Sequence, residues 1–560
     1  LKTPAKNDEL VFLPLGGSGE IGMNLNAYGY GPADQRQWII VDIGVTFGRE
    51  DSTPGVELIL PDPTFLEGEQ DNILAIVLTH AHEDHIGALA WLWPRLKAPV
   101  YATPFTAILV REKLREQGLL DKVKVTEIPL KGALKLGPFE IDFVTLTHSI
   151  PEPNGLAIRT PLGLVWHTGD WKIDPDPLIG ELTDEAKLRA MAEEGVLAMV
   201  CDSTNVFVEG TSGSEAEVRE KLIQVIKPLK GRVAVTAFAS NVARVESALL
   251  AARACRRQPC LVGRSMHRIY AAAKAVGLLE DTPRVLTEEE AANLDDDQVL
   301  YLCTGSQGEP RAALTRIARG EFRNVSLRAG DTVIFSSRVI PGNEMAIHAL
   351  YNAFLERGVD LITADDHPVH VSGHPARDEL RQMYAWARPK IAIPVHGERR
   401  HILEHVKLAK ELQVPEALAP NNGDLIRLAP GPAAIIDEVP AGRLFVDGGV
   451  IVEAEDEALR DRKRLAAEGA VHVSLALSGK HAIVAGPTLS VRGLAMADEE
   501  DFELALEDLE RTASAAFGKL SHTERSDDDA IETALVRAVR KAAERLWKKR
   551  PLVDVSVLRL

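Results

Sequence analysis

His80, His82, Asp84 and His85 stand together in the stretch LTHAHEDHIGAL as the pattern H-x-H-x-D-H. Neutral imidazole and carboxylate are the donors that a zinc-like divalent cation prefers. On a regular helix, positions 80 and 84 would share one face while 82 and 85 pointed away from it. In a loop leaving a strand, all four can converge, which is enough for most of one metal site and the start of a second. The stretch follows the apolar run ILAIV, residues 73–77, which reads as a buried strand. A solvated loop that is merely rich in polar residues is the plainer alternative, and the spacing argues against it.

Other apolar runs end in the same way. VTLTHSIP ends on His148, VWHTGDWKID on His167 and Asp170, and AIPVHGE on His396. VHVSGHP carries His370 and His374, and WIIVDIG carries Asp42. A lone histidine on a strand is usually a satisfied core residue, and His167 is expected to be one. Polar groups at successive strand ends, however, are a natural way to assemble a binuclear site at one edge of a sheet sandwich. His401 and His405 are spaced i, i+4 on a predicted helix and mimic a metal pair; a solvated helix face is the expected reading.

The elements that must position these groups change character along the chain. The N-terminal third reads as short strands separated by turns, with one helix in PFTAILVREKLREQG. Its glycine cluster GGSGEIGMN, Gly16 to Asn24, resembles a phosphate-cradling loop but matches no dinucleotide or P-loop pattern. From about Asn205 helices alternate with strands, which predicts a mostly parallel α/β unit. Strand-rich texture resumes near VDLITADDHPVHVSGHP. A proline- and glycine-bearing stretch then suggests a linker, and the chain closes on strands, two helices and a final strand, PLVDVSVLRL.

The bulk numbers set limits. With 560 residues, several domains are expected. No apolar run approaches the ~20 residues that span a bilayer. Four scattered cysteines, none in a C-x-x-C pair, read as a reduced, cytoplasmic protein. The opening residues carry no apolar signal core. A net charge of -18 is awkward for a nucleic-acid binder. It does not exclude one, because a channel can be locally basic and bound metals add positive charge.

THAHEDHIG followed by THSIP, HTGD and a late PVHGE resembles the metallo-β-lactamase fold, an αββα sandwich holding two metals at one sheet edge. The inserted α/β unit resembles the β-CASP domain of nucleic-acid-processing enzymes, with CDSTN supplying Asp202, VSGHP His374 and PVHGE His396. The wider set GGSGEIGMN, TAFASN, GRSM, TGSQGEP and SSRVIPGNE is similar to the bacterial ribonuclease J family over about Leu10 to Asp424. The implied organisation is a metallo-β-lactamase domain at 1–206, a β-CASP insertion at 207–361, a return segment at 362–440, a linker at 441–456 and a small C-terminal α+β domain at 457–560.

The resemblance implies roles residue by residue. His80, His82 and His148 would hold one divalent metal, Asp84, His85 and His396 a second, with Asp170 bridging. Zinc is the first choice of metal and manganese the alternative. Asp84 would also orient the attacking water. His374 would protonate the leaving oxygen or hold the scissile phosphate, Asp202 would steady it, and Asp42 would orient a ligand histidine. Ser306, Gln307, Ser372, Gly373 and His374 are candidates for a 5′-phosphate pocket, with Ser240, Asn241, Ser336 and Arg338 beside them. The implied activity is 5′-to-3′ exonuclease digestion favouring a 5′-monophosphate, together with endonuclease cleavage. It would leave 5′-phosphate and 3′-hydroxyl ends in mRNA decay and rRNA processing. Single-stranded RNA, a second or fourth copy of the chain and other RNA-decay proteins are the implied partners. The rivals are an RNA 3′-end-processing endonuclease or a DNA-repair exonuclease of the same branch, a small-molecule hydrolase, and a non-catalytic scaffold. A histidine at the third motif goes with RNA in this branch, and every expected ligand is present.

Overall fold

The computed structural model describes residues 4–49 and 52–560. The chain divides into two compact units, one of residues up to Thr46 with Leu60–Gly442, the other of Phe47–Ile59 with Arg443–Leu560.

The first unit is built on two large sheets. One runs in the order Ala434–Glu438, Asp424–Ala429, Glu9–Gly16, Leu25–Gly31, Gln37–Val41, Ile73–Val77, Val100–Ala102 and Val125–Glu127. The other runs Ala133–Leu136, Phe139–Thr145, Asn154–Thr160, Gly163–His167, Val196–Asp202, Ile391–Val395 and Glu416–Ala417. Phe12, Tyr28, Ile39 and Val77 of the first interleave with Phe143, Ile158, Val200 and Ile393 of the second in one buried core. The outer face of the second sheet packs Trp166 and Met199 against Leu380, Trp386 and Leu408 of helices Arg377–Ala387 and Arg399–Glu411. This is the helix-covered sandwich implied by the resemblance.

The strand directions decide where the chemistry can gather. Gln37–Val41 and Ile73–Val77 are parallel, as are Gly163–His167, Val196–Asp202 and Ile391–Val395. Each of them delivers its next residues to the carboxyl end of its sheet, where open α/β sheets place their ligands.

Between Asp202 and Ile391 lies a five-stranded parallel sheet in the order Gln258–Val262, Val299–Cys303, Val233–Thr236, Thr332–Phe335, Asp360–Ile362. Helices Glu215–Ile226, Val242–Ala254, Arg264–Ala275 and Glu344–Leu355 alternate with its strands. This is the α/β unit expected from Asn205 onward. The strand-rich texture expected after it reduces to Asp360–Ile362; residues 363–376 run as irregular chain.

The second unit resumes with the hairpin Arg443–Asp447 and Val450–Glu453, which lies within the stretch 441–456 expected as a linker, followed by helix Glu457–Glu468. Of the proline- and glycine-bearing stretch that suggested a linker, Pro430, Gly431 and Pro432 form the turn between Asp424–Ala429 and Ala434–Glu438, and Pro440 and Gly442 lead into Arg443–Asp447. The closing elements are a three-stranded sheet of Ala470–Leu477, Ile483–Arg492 and Leu552–Arg559 and helices Glu499–Gly518 and Asp528–Trp547. Val471, Val473 and Leu475 alternate inward against Leu509, Leu535 and Val539. Among the described residues no helix is long and apolar enough to cross a membrane.

Candidate metal centre

Residues that follow four strands, Ile73–Val77, Phe139–Thr145, Gly163–His167 and Ile391–Val395, meet at one edge of the sandwich. His80, His82, His148 and Asp170 bring one donor atom each to within 4.8 Å of one another, and so do Asp84, His85, Asp170 and His396. Asp170 belongs to both sets. A third group, Asp202, His374 and His396, lies against them.

Four of the rings are held by their far sides. His80 Nδ1 lies 3.0 Å from the Thr79 hydroxyl, and Thr79 itself donates to both oxygens of Asp42 at 2.8 Å. His85 Nδ1 bonds Asp42 Oδ2 at 2.7 Å, leaving Nε2 3.1 Å from Asp170. His148 Nδ1 donates to the Gly373 carbonyl at 2.6 Å, which turns Nε2 toward His82. His396 Nδ1 lies 3.0 Å from the Asn24 amide oxygen. These contacts select the tautomer in which the inward nitrogen has a free lone pair.

The backbone is bent to suit. Asp42 and His396 adopt left-handed φ of 63° and 51°, a conformation uncommon outside glycine. The glycines of the 16–24 cluster serve a doubled-back turn, for a Cβ on Gly16 would sit 1.9 Å from the Met23 carbonyl. That turn delivers Asn24, whose amide also donates to the Asp84 carbonyl at 3.0 Å. Asn24 is a site residue that the sequence reading missed. Its only signal there was its place at the end of an unassigned glycine cluster.

The electrostatics fit a cation. Burial, then repulsion from neighbouring imidazoles, drives the pKa of His80 and His148 far below the ordinary value. Burial brings His82 down to about 4. These rings are uncharged at pH 7, as metal ligation requires. Burial alone would raise Asp170, but the surrounding histidines, His396 and His85 first, hold it well below the usual carboxylate range. Burial opposes charge on His85 too, yet Asp170, Asp84 and Asp42 together raise its pKa. Three carboxylates around one buried ring call for positive charge, and a divalent ion satisfies that demand. His396 Nε2 is buried without a hydrogen-bond partner, an orphan nitrogen aimed into the donor set. Three imidazoles with one carboxylate, and two with two, are donor sets suited to zinc or manganese.

His374 sits three-quarters buried beside this cluster, with Nδ1 2.8 Å from Asp202 Oδ2. Burial disfavours its charge, but Asp202, then Asp170 and Asp84, outweigh that and push its pKa up to about 9. Its loop is tied down by Asn205, whose amide donates to Ser372 Oγ at 2.8 Å and to the His374 carbonyl at 3.1 Å. Gly373 is required by packing, since a Cβ there would meet Ser149 Oγ at 2.5 Å and the His148 ring at 2.9 Å.

The pocket candidates divide. Ser372 and Gly373 adjoin His374. Gln307 spends its amide on the Arg338 carbonyl, the Ile340 amide and Asn343, bracing its loop against residues 338–343. Ser306 is buried, Ser240 half-buried and Arg338 exposed. Asn241 caps helix Val242–Ala254 and donates to Glu215, and Ser336 Oγ donates to the Val369 carbonyl. These last two are internal struts, not groups facing an open surface.

His167 bonds Tyr28 through Nδ1 at 2.9 Å, away from the ligand cluster. The solvated helix face expected for His401 and His405 is not found. Both are buried, His405 between Ser203 Oγ at 2.9 Å and the Tyr384 hydroxyl at 3.0 Å. They share the inward stripe of their helix with Ile402 and Leu408.

Family models match along the chain: a beta-lactamase superfamily domain at residues 37–194, the ribonuclease J beta-CASP domain at 230–354, a Zn-dependent metallo-hydrolase RNA specificity domain at 363–419 and the ribonuclease J C-terminal domain at 457–560. Ribonuclease J of Sinorhizobium meliloti is 47% identical over 99% of this chain and 98% of its own. Ribonuclease J of Synechocystis is 36% identical over 97% of this chain and 86% of its own. A crystal structure of a protein of unknown function from Enterococcus faecalis covers 75% of this chain and 100% of its own, with a TM-score of 0.52 at 15% identity, a likeness of fold alone. The chain belongs to the ribonuclease J family.

Proposed function

We propose that the chain hydrolyses RNA with two divalent metals, working 5′ to 3′ from a monophosphorylated end and also cutting internally, to leave 5′-phosphate and 3′-hydroxyl ends. That it is a metal-dependent ribonuclease follows from its family and from the donor set described above. The two-metal reading rests on one observation, two four-donor sets sharing Asp170 with the His374–Asp202 pair against them; the direction and the preference for a monophosphorylated end rest on the resemblance of TGSQGEP and VSGHP to the family's motifs. Zinc is the proposed metal, with manganese as the alternative. The proposed setting is mRNA decay and rRNA processing, with the chain acting as a dimer or tetramer.

His80, His82, His148 and Asp170 would hold one ion, and Asp84, His85, His396 and Asp170 the other. Bound divalent ions lower the pKa of water toward ~7 and offset charge on phosphoryl oxygens. Asp84, more exposed than its fellow ligands at 29%, orients the attacking water. His374 donates a proton to the leaving 3′ oxygen. Asp202 accepts from its Nδ1–H, fixes the ring and stabilises its charge. Ser372 and Gly373 hold the loop around the phosphate.

The experiment is cleavage of a monophosphorylated RNA by the parent, His374→Ala and His80→Ala, each with measured metal content. Loss of cleavage in both, with metal lost only in His80→Ala, supports the assignment. Undiminished cleavage in His374→Ala removes its catalytic role.

A further inference from the structure

Arg244 lies in the inserted α/β unit, on helix Val242–Ala254, and is almost wholly enclosed. Its Nε and Nη2 each lie 3.0 Å from an oxygen of Glu215, a two-pronged pair with the carboxylate. Its Nη1 has four acceptors within reach: the Ser336 carbonyl and hydroxyl at 2.8 Å, the Val369 carbonyl at 3.3 Å and His370 Nδ1 at 3.4 Å. Ser336 Oγ closes the loop by donating to the same Val369 carbonyl at 2.6 Å. One guanidinium thus ties the carboxyl end of strand Thr332–Phe335 to the segment that continues directly into Ser372, Gly373 and His374.

The other side of the network leads to the metal ligands. The Glu215 amide donates to Asp174 Oδ2 at 3.0 Å, and Asp174 pairs with buried Lys172 at 2.8 Å. The Lys172 backbone exchanges bonds with Thr147, its amide reaching the Thr147 carbonyl at 2.7 Å and its carbonyl accepting from the Thr147 hydroxyl at 2.7 Å. Thr147 precedes His148, and Lys172 follows Asp170 by two positions. Lys172, Asp174, Glu215 and Arg244 are each no more than 2% exposed. Enclosing four charges carries a desolvation cost that an apolar core would avoid. Such a network is retained where it fixes geometry, and here it joins the carriers of His148 and Asp170 to the carrier of His374.

We propose that Arg244 is a positioning residue for RNA cleavage: through Glu215 and Ser336 it sets the distance and angle of the His374 loop against the metal ligands. It touches neither substrate nor metal. The proposal rests on the ribonuclease reading above. Its loss misplaces His374 while most of the donor set stays assembled, because His80, His85 and His396 are held by Thr79, Asp42 and Asn24 instead. A small misplacement of a catalytic group costs up to about a hundredfold in rate.

The test uses the full chain and a short RNA with a 5′-monophosphate and a 3′ fluorophore. Arg244→Lys keeps the charge but loses the fork, Ser336→Ala removes one strut, and Arg244→Gly opens a guanidinium-sized cavity. The expected result for Arg244→Lys is kcat reduced about ten- to a hundredfold with KM within about threefold, and metal content equal to the parent's. Ser336→Ala is expected to show a smaller loss of the same kind. Added guanidinium at non-denaturing concentration restores cleavage by Arg244→Gly, and methylammonium does not. Parent-like kcat in folded Arg244→Lys and Ser336→Ala overturns the proposal, and so does a loss confined to KM or accompanied by loss of metal. Should Arg244→Gly not fold, the other two variants decide. A parent that fails to cleave this RNA overturns the ribonuclease reading as well, whereas a cleaving parent with indifferent variants overturns this inference alone.

Discussion

His374 Nδ1 and Asp202 Oδ2 meet at 2.8 Å across 172 positions of sequence. The other Asp202 oxygen accepts from the Thr204 amide at 2.8 Å and its hydroxyl at 2.7 Å. The carboxylate is fully committed, so its orientation and that of the imidazole are fixed together.

Asp202→Asn replaces this charged acceptor with an amide that cannot stabilise an imidazolium. Single-turnover cleavage should slow by about ten- to a hundredfold, and His374→Ala by more, within the 10²–10⁴ range roughly typical of a general acid. An Asp202→Asn enzyme as fast as the parent would separate the carboxylate from the chemistry.

Asp42 stands behind two of the proposed metal ligands, bonding His85 directly and His80 through Thr79. Asp42→Asn should weaken metal binding about ten- to a hundredfold, read by competition with a chromophoric zinc chelator. Chelation should abolish cleavage by the parent, and added zinc or manganese should restore it. Unchanged affinity in the variant would make Asp42 a fold residue only.

Gly44 has no room for a side chain: a Cβ would fall 1.7 Å from the Asp84 carbonyl oxygen and 2.0 Å from its carbon. Backbone cannot yield as a side-chain tip can. Gly44→Ala should cost about 3 kcal/mol in denaturant unfolding and lower metal occupancy through displaced Asp84 and His85. A neutral substitution would contradict the packing described for this turn.

Burial brings the pKa of His405 down to about 4. Unfolded, the ring binds a proton below about 6.5; folded, it does so only near 4. Its contribution to stability is therefore complete above pH 6.5 and falls as pH drops toward 4, by up to about 3 kcal/mol. Replacing it with non-titrating Gln removes that dependence. The stability gap between parent and His405→Gln should be widest at pH 7 and shrink toward pH 4.5. A gap constant over this range would show that His405 is protonated alike in both states.

The donors that meet at the sheet edge were legible because polar groups at successive strand ends gather at one edge of a sheet, and hydrophobic periodicity marks where strands end. His80 to His85 also crowd into one local pattern. Asn24 was hidden because an uncharged amide announces nothing until its neighbours His396 and Asp84 are known. Asn241 and Ser336 have the right chemistry for a phosphate, but tertiary packing commits them to Glu215 and Val369. His401 and His405 were misjudged on polarity alone. They lie in phase with Ile402 and Leu408 on one stripe, and the helical period would have placed them inward. The hairpin at 443–453 was masked by the prolines and glycines of the stretch before it, 429–442, and by the Gly448–Gly449 pair of its turn.

The central claim is tested most directly by digesting one RNA, labelled at either end, bearing a 5′-monophosphate or a 5′-triphosphate. Mononucleotides released in order from the monophosphorylated end, slowed by the triphosphate and abolished in His374→Ala, are the predicted result. No cleavage by the zinc- or manganese-loaded parent, or cleavage indifferent to His374, would contradict it.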